Sequence, residues 1–170
     1  LRNVVLPRTL TSIGDYAFSQ CTNLSSINIP PSVTSIGKYA FYSCKGFKIT
    51  RIPSSVTSIG EGAFGECKEI AYFQVDPSNP NYQSVDGILF SKNLDTLICF
   101  PPCHHLSSYQ MPATVTIIEP YSFCYTELRS ITFSNSITAI PKFAFYKAPN
   151  LVTFVIPPQV VSIGESAFEQ

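Results

Sequence analysis

The sequence predicts an α/β repeat solenoid, a stack of short coils that each contribute a strand and a tight turn. The first observation is a nine-residue phrase, VTSIGKYAF at 33–41, which recurs as VTSIGEGAF at 56–64 and twice more in looser form. The second is the spacing of the copies, which is 22 or 23 residues along most of the chain. The third is the alternation of apolar and polar residues just before each copy. Units this short cannot bury their own apolar side chains and are typical of stacked coils.

The aligned copies divide the chain into seven coils, which we expect to form a single domain over residues 1–170. One aligned column is present in six of the coils and holds phenylalanine in all six. We expect these side chains to form a buried ladder through the stack. The coils begin at Leu1, Leu24, Phe47, Ile70, Leu106, Leu128 and Leu151. The ladder comprises Phe18, Phe41, Phe64, Phe123, Phe145 and Phe168.

Each coil is predicted to contain one short parallel strand and one short helical turn. In LSSINIP at 24–30, alternation points Ile27 and Ile29 inward, and a proline without an N–H group ends the strand. In GKYAFYSC at 37–44, Ala40, Phe41 and Cys44 would share one face of a helical turn. We expect the glycine that opens this turn to adopt a backbone conformation that other residues avoid.

The fourth unit is longer, at 36 residues, and predicts a β-hairpin insertion at about 77–105. The segments ILF at 88–90 and TLICF at 96–100 have strand composition, and turn-forming dipeptides surround them. This unit is interpreted as having lost the second half of the repeat.

Composition and motifs favour a protein without catalytic or cofactor chemistry. Eleven basic residues balance eleven acidic ones, which gives no electrostatic reason to expect nucleic acid or an anionic membrane as a partner. No apolar run is long enough to span a bilayer. Three cysteines 23 residues apart occupy one column with a threonine and an alanine, which favours small buried side chains over a disulfide framework: Cys21, Cys44 and Cys67.

One cluster of soft ligands stands apart, CFPPCHH at 99–105, which contains both histidines. Its spacing matches no zinc motif, so an ordinary loop is favoured, with a local disulfide or a metal site as alternatives. We therefore expect no catalytic residues, no metal and no cofactor. Because the chain begins without Met and ends inside a copy of the phrase, we also expect it to be a fragment, so a missing signal peptide excludes nothing.

The unit L-x-x-I-x-I-P-x-x-V-T-x-I-G-x-x-A-F-x-x-C resembles the BspA-type, or treponemal-type, leucine-rich repeat of bacterial and protozoan surface proteins. The resemblance covers essentially the whole chain. It implies a right-handed leucine-rich-repeat superhelix with the turns on its convex side. It also implies an extracellular or cell-surface protein that adheres to host or extracellular-matrix proteins. Inserts like the one in the fourth unit are common in that family.

Solenoids use their sheet face for partners, so the outward strand positions are the predicted binding residues. Neighbouring aromatic, basic and amide side chains, together with the adjacent insert, favour the middle of this face over its ends. The predicted residues are Asn28, Ile49, Arg51, Tyr72, Gln74, Gln110 and Thr132. The register of GFKITRIP at 46–53 stays open, because Ile49 could instead point inward. The alternative function is a structural or self-assembling scaffold that forms homo-oligomers.

Overall fold

The protein is a β-solenoid of about seven turns, seen in a computed structural model that describes residues 1–170 except for the side chain of Ile49. Its strands, in chain order, are β1 (Asn3–Val4), β2 (Ser12–Ile13), β3 (Ser26–Ile27), β4 (Ser35–Ile36), β5 (Ile49–Ile52), β6 (Ser58–Ile59), β7 (Tyr72–Val75), β8 (Tyr82–Val85), β9 (Ile88–Ser91), β10 (Thr96–Cys99), β11 (Ser108–Gln110), β12 (Ile117–Ile118), β13 (Ser130–Thr132), β14 (Ala139–Ile140), β15 (Thr153–Phe154) and β16 (Ser162–Ile163).

Each coil contributes two parallel strands rather than the single one predicted. The first strand of the coil forms the pairs β1–β3 and β5–β7 and the three-stranded sheet β11–β13–β15. The second strand forms β2–β4–β6, β10–β12 and β14–β16. Ser12 lies opposite Ser35 and Ser35 opposite Ser58, so neighbouring coils are offset by one repeat length of 23 residues.

The predicted helical turns are wrong, because the described chain contains no helix. In the first coil, Ala17, Ser19 and Cys21 donate their N–H groups three residues back, to Gly14, Tyr16 and Phe18. The alternate N–H groups, those of Tyr16, Phe18 and Gln20, instead donate to carbonyls of the next coil, on Lys38, Ala40 and Tyr42. The fold class is therefore a β-solenoid and not an α/β repeat.

Left-handed residues explain why a helix cannot form in these turns. Tyr39 and Ser43 have φ angles of 53° and 57°, whereas a right-handed helix needs negative φ at every residue. Two such residues occur in the turn of nearly every coil, and they direct alternate N–H groups along the stack. An amphipathic pattern alone does not reveal this, because Ala40, Phe41 and Cys44 are all buried in either conformation.

The glycine that opens the turn is required for close packing between coils. A Cβ atom added at Gly37 would lie 2.5 Å from the backbone nitrogen of Asp15 in the preceding coil. At Gly14, which has no preceding coil in this chain, a Cβ atom would have no neighbour within 4 Å. Gly37 has no positive φ, so the expected unusual backbone conformation is absent at that position.

The phenylalanine column forms stacked rings in two runs. Ring centroids lie 5.5 Å apart between Phe18 and Phe41 and 5.6 Å between Phe41 and Phe64, with rings nearly parallel. The second run joins Phe123 to Phe145 at 4.8 Å and Phe145 to Phe168 at 5.2 Å. The six rings are buried or partly buried, in two core clusters that divide at the insertion.

The fourth coil retains part of its second half, contrary to the interpretation above. Phe100 donates its N–H to the carbonyl of Ser122 at 2.7 Å, and its ring stacks on that of Phe123 at 5.3 Å. Leu97 pairs with Ile118, the isoleucine of the next coil. Leu97 and Phe100 are three residues apart, whereas the equivalent Ile118 and Phe123 are five apart. The fourth turn is therefore two residues shorter than the others.

The predicted hairpin is present as part of an antiparallel sheet in the order β10–β9–β8, and β10 also pairs with β12. Asn79, just before β8, and Tyr82, the first residue of β8, cover the edge of the third coil. Asn79 donates its side-chain amide to the carbonyls of Pro53 and Val56, at 2.7 and 2.9 Å. The hydroxyl of Tyr82 accepts the N–H of Ile59 at 2.8 Å. Side chains thus replace part of the backbone ladder that an ordinary fourth coil would supply.

Candidate binding surface on the strand face

The strand face predicted to bind a partner is exposed at the residues that the structure describes there. Tyr72 has 42 % of its surface exposed, and Asn28, Arg51, Gln74, Gln110 and Thr132 are also exposed. Exposure follows from strand alternation, because the intervening side chains of the same strands pack into the core.

The open register at 46–53 is resolved by the strand β5. Thr50 and Ile52 are buried, and Arg51 is exposed. Arg51 lies opposite Gln74, and Ile49 lies opposite Tyr72 in the backbone register. The side chain of Ile49 is outside the described residues, so its predicted outward direction stays a prediction.

A groove of about 360 Å³ lies where the first strands of coils 2, 3 and 4 end. Three predicted binding residues line it, namely Asn28, Arg51 and Gln74. Its other polar residue is Asp76, and its apolar walls include three prolines: Pro31, Pro53 and Pro77. Of these, only Pro53 belongs to the column of prolines that ends the first strand, because Pro31 and Pro77 stand one residue after that column.

The groove combines two carboxamides, a guanidinium and a carboxylate on an apolar base. Arg51 is in no ion pair with a described residue, so its guanidinium can donate to a ligand. Asp76 accepts the N–H of Ser78 at 2.9 Å, which holds its carboxylate in place beside the groove. Such a set of groups can hydrogen-bond the backbone and polar side chains of an extended peptide segment.

The remaining predicted residues lie on a separate part of the face. Gln110 and Thr132 are paired in register on β11 and β13. β7 and β11 are not hydrogen-bonded to each other. The N–H of Phe73 on β7 instead donates to the carbonyl of Gly87, in the turn between β8 and β9, at 2.8 Å. Gly87 packs against Tyr72, since a Cβ atom there would lie 2.6 Å from the Cβ of Tyr72. The insertion therefore borders the first group and separates it from the second.

The CFPPCHH cluster forms the shortened turn of the fourth coil. His104 is buried, its Nε2 lies 2.7 Å from the carbonyl of Asp86, and its Nδ1 accepts the N–H of Leu106 at 3.3 Å. Both ring nitrogens thus have backbone partners, and the contact of Nε2 connects this segment to the turn between β8 and β9. The described residues include no group of three or more potential metal ligands.

The six cysteines are free thiols, and two of the three in the repeated column bond to the preceding coil. Cys44 donates its thiol to the carbonyl of Phe18, and Cys67 donates to that of Phe41, both at 3.0 Å. Burial raises the pKa of Cys44 to about 12 and that of Cys67 well above its usual value. These thiols remain protonated near neutral pH, and protonated thiols are poor nucleophiles and metal ligands.

Six copies of the BspA type leucine rich repeat region match this chain, over residues 1–98 and 96–170. The chain belongs to this family. No curated protein of established function is significantly similar to this BspA-type chain. The described chain also contains no helix that is long and apolar enough to cross a membrane.

Three solved structures resemble this BspA-type repeat array. A leucine rich cell surface protein from Faecalibacterium prausnitzii is 29% identical, with a TM-score of 0.81 over 99% of this chain and 51% of that one. The pneumococcal vaccine antigen PcpA is 26% identical, with a TM-score of 0.81 over 96% and 47%. A leucine-rich repeat protein from Eubacterium ventriosum is 26% identical, with a TM-score of 0.69 over 91% and 53%. The chain spans about half the length of these structures.

Sequence reasoning missed one residue that the structure singles out, Glu119. It stands in the column that holds glycine in most coils, and its side chain is about half-buried in a cavity beside the insertion. The exception to the column was visible in the sequence, but the shortened turn that makes room for the side chain was not recognised there.

Proposed function

We propose that this chain is a non-catalytic protein-binding module of a surface or secreted protein, and that it adheres to host or extracellular-matrix proteins through its strand face. The observation that carries the proposal is the groove beside β5 and β7, in which Arg51, Gln74 and Asn28 surround an apolar base. Arginine and tyrosine are enriched in the energetic centres of protein interfaces, and Tyr72 is exposed on the same two strands.

Family membership and the similar structures support the surface location of the proposal. The Faecalibacterium protein is described as a cell surface protein and the pneumococcal protein as a vaccine antigen. The charge of the chain is balanced, and the raised pKa values of the buried thiols of Cys44 and Cys67 make them poor nucleophiles, which favours binding over an enzymatic role.

The test is surface plasmon resonance against a panel of purified matrix and serum proteins. We expect capture of at least one of them, and we expect the double variant R51A/Y72A to weaken it by about tenfold or more, since hot-spot truncations cost about 2 kcal/mol or more. The melting temperature should stay unchanged, because both side chains are exposed. The matched control is R129A, which removes an exposed arginine away from the groove. Equal binding by the double variant and the wild type would show that this face is not the interface.

Self-assembly is the second candidate function, and a different observation favours it. The last coil exposes three valine side chains, with Val152 79 %, Val155 80 % and Val161 87 % exposed. Exposed apolar patches are typical of sites of association. Sedimentation velocity should then show a mass that rises with protein concentration in the absence of a partner, whereas a concentration-independent monomer would refute this candidate.

A further inference from the structure

A second cavity, of about 280 Å³, lies between the turns of the third and fifth coils, next to the hairpin. Coils 3 and 5 meet directly at the outer edge of the stack. Glu66 of coil 3 donates its N–H to the Sγ of Cys124 in coil 5 at 3.1 Å. Tyr121 of coil 5 also reaches coil 2, where it packs edge-on against Tyr39 and Tyr42, with centroids at 5.9 and 5.5 Å. Lys142 of coil 6 forms an ion pair of 2.8 Å with Glu61 of coil 3.

The cavity exists because the fourth turn is two residues short. In an intact turn, alternate N–H groups reach carbonyls of the following coil, as Tyr39 and Phe41 do to Glu61 and Ala63. The equivalent N–H groups of coil 3 belong to Gly62 and Phe64, and neither has a backbone acceptor among the described residues. Both residues line the cavity. The missing segment therefore leaves two hydrogen-bond donors beside an open space.

Glu119 occupies the space that the shortened turn leaves. At Gly37, Gly60 and Gly164, a Cβ atom would come within 2.5 Å or less of a backbone nitrogen in the preceding turn. In coil 5 the preceding turn is the shortened one of coil 4, and the glutamate side chain is accommodated there beside the cavity. Pro141 also replaces glycine, after an intact turn, so a shortened turn is not required for every departure from glycine.

The carboxylate of Glu119 is the unpaired charge in this cavity. The neighbouring Glu61 is neutralised by Lys142 and also accepts the hydroxyl of Tyr39 at 2.7 Å. Asp95 at the hairpin accepts the hydroxyls of Ser91 and Thr96, two residues that line the cavity. The backbone of Glu119 is bonded to Leu97 and Ser122, but its carboxylate has no hydrogen-bond or ion-pair partner among the described residues.

Burial and the nearby Glu61 carboxylate raise the pKa of Glu119 above its usual value, which shows that its ionised form lacks compensation. The rings of Tyr82 and Tyr121 also line the cavity. A carboxylate beside aromatic rings is the environment in which proteins bind organic cations, through charge pairing and attraction to the ring faces.

We propose that this seam cavity binds a primary ammonium or guanidinium group, carried by a lysine or arginine side chain or by a free alkylamine. Glu119 pairs with the cation, and the N–H groups of Gly62 and Phe64 bind an acceptor on the same ligand. The volume is just below the range of drug-sized ligand pockets, which suits a single side chain. This site is distinct from the strand-face groove and involves none of its residues.

The test is an NMR titration of the ¹⁵N-labelled chain with three probes: N-acetyl-lysine N-methylamide, N-acetyl-arginine N-methylamide and n-butylammonium. We expect progressive shifts of the Gly62, Phe64 and Glu119 amide signals. E119Q should weaken binding by at least about tenfold, because the charge partner is lost while the shape is kept. E119G, which restores the residue common in this column, should lose binding as well and should fold normally.

The matched control is E165Q, which removes an exposed carboxylate from the turn of the last coil and should bind like the wild type. Tighter binding of the amino-acid derivatives than of n-butylammonium supports a protein side chain as the natural ligand, and equal binding supports a free amine. The proposal is overturned if no probe shifts these signals, if E119Q binds as the wild type does, or if acetate binds in place of the cations. R51A/Y72A should leave this titration unchanged, which separates it from the strand-face function.

Discussion

At the scale of single residues, the close distance between the backbones of neighbouring coils limits the size of the side chains in each turn. The glycine column is small because the preceding turn occupies the place of a Cβ atom, as at Gly37. The side chains of the cysteine column are small, and two of them are also hydrogen-bond donors. The thiols of Cys44 and Cys67 donate to carbonyls of the preceding coil. The threonine and the alanine in the same column are also small side chains. The sequence pattern therefore indicated a packing requirement and not a reactive site.

Substitution of alanine for glycine tests this account at two equivalent positions. Gly37→Ala should lower the free energy of unfolding by about 1–3 kcal/mol, because its Cβ atom would lie 2.5 Å from the backbone of Asp15. Gly14→Ala should change it by less than about 0.5 kcal/mol, since nothing lies within 4 Å. Urea unfolding measures both. Equal costs at the two positions would mean that the backbone conformation, and not coil packing, selects glycine.

At the scale of elements, the insertion both supports the third coil and interrupts the strand face. Its first segment caps the coil edge with side chains, where Asn79 and Tyr82 bond to backbone groups of coil 3. Its turn at Gly87 bonds to Phe73 on β7 and so takes the edge that would otherwise pair with β11. The hairpin could be predicted from its turn residues and β composition. Its packing against the coils could not, because it depends on contacts with residues fourteen or more positions away along the chain.

Asn79 provides the sharpest test of this capping. Its buried amide donates to Pro53 and Val56, and its Oδ1 accepts the N–H groups of Asn81 and Tyr82 at 2.9 and 2.8 Å. Asn79→Ala should lower the free energy of unfolding by about 2–4 kcal/mol, because several buried backbone groups lose their partners. The control is Asn81→Ala, which removes one exposed hydrogen bond from a side-chain amide to the carbonyl of Thr57. It should lower the free energy of unfolding by less than about 1 kcal/mol. Thermal unfolding would contradict the account if the two variants were equally stable.

At the scale of the whole molecule, the shortened fourth coil connects two core clusters. The hairpin contributes Leu89 to the first cluster and Ile88 and Phe90 to the second. Phe100 continues the phenylalanine column on the C-terminal side and stacks on Phe123. On the N-terminal side, Phe64 packs edge-on against Phe73 instead. The same shortening joins the outer turns of coils 3 and 5 and opens the seam cavity.

Phe100→Ala tests whether the fourth coil is a structural repeat or only a connecting loop. The ring is fully buried and also packs on Tyr109 and His104, at 5.0 and 4.9 Å. Its removal should therefore lower the free energy of unfolding by about 3–5 kcal/mol. Hydrogen exchange should show faster opening of coils 4 and 5 than in the wild type. The control is Phe168→Ala in the last coil, where the ring is partly exposed and the loss should be smaller. If Phe100→Ala lowered the free energy of unfolding by less than Phe168→Ala does, the fourth coil would be a connecting loop and not part of the stack.

The sequence by itself determined the period, the family and the buried columns. These depend on which residues recur, and apolar side chains that recur at one spacing must be buried by stacking in any conformation of the turn. The tertiary structure decided the rest: the β-turns in place of helices, the second strand of each coil, the division of the strand face and the cavity at Glu119. Each of these depends on where backbone N–H groups find acceptors on a neighbouring coil. Each acceptor lies on a coil that is distant in sequence but adjacent in the fold, so the residue pattern within one coil does not reveal it.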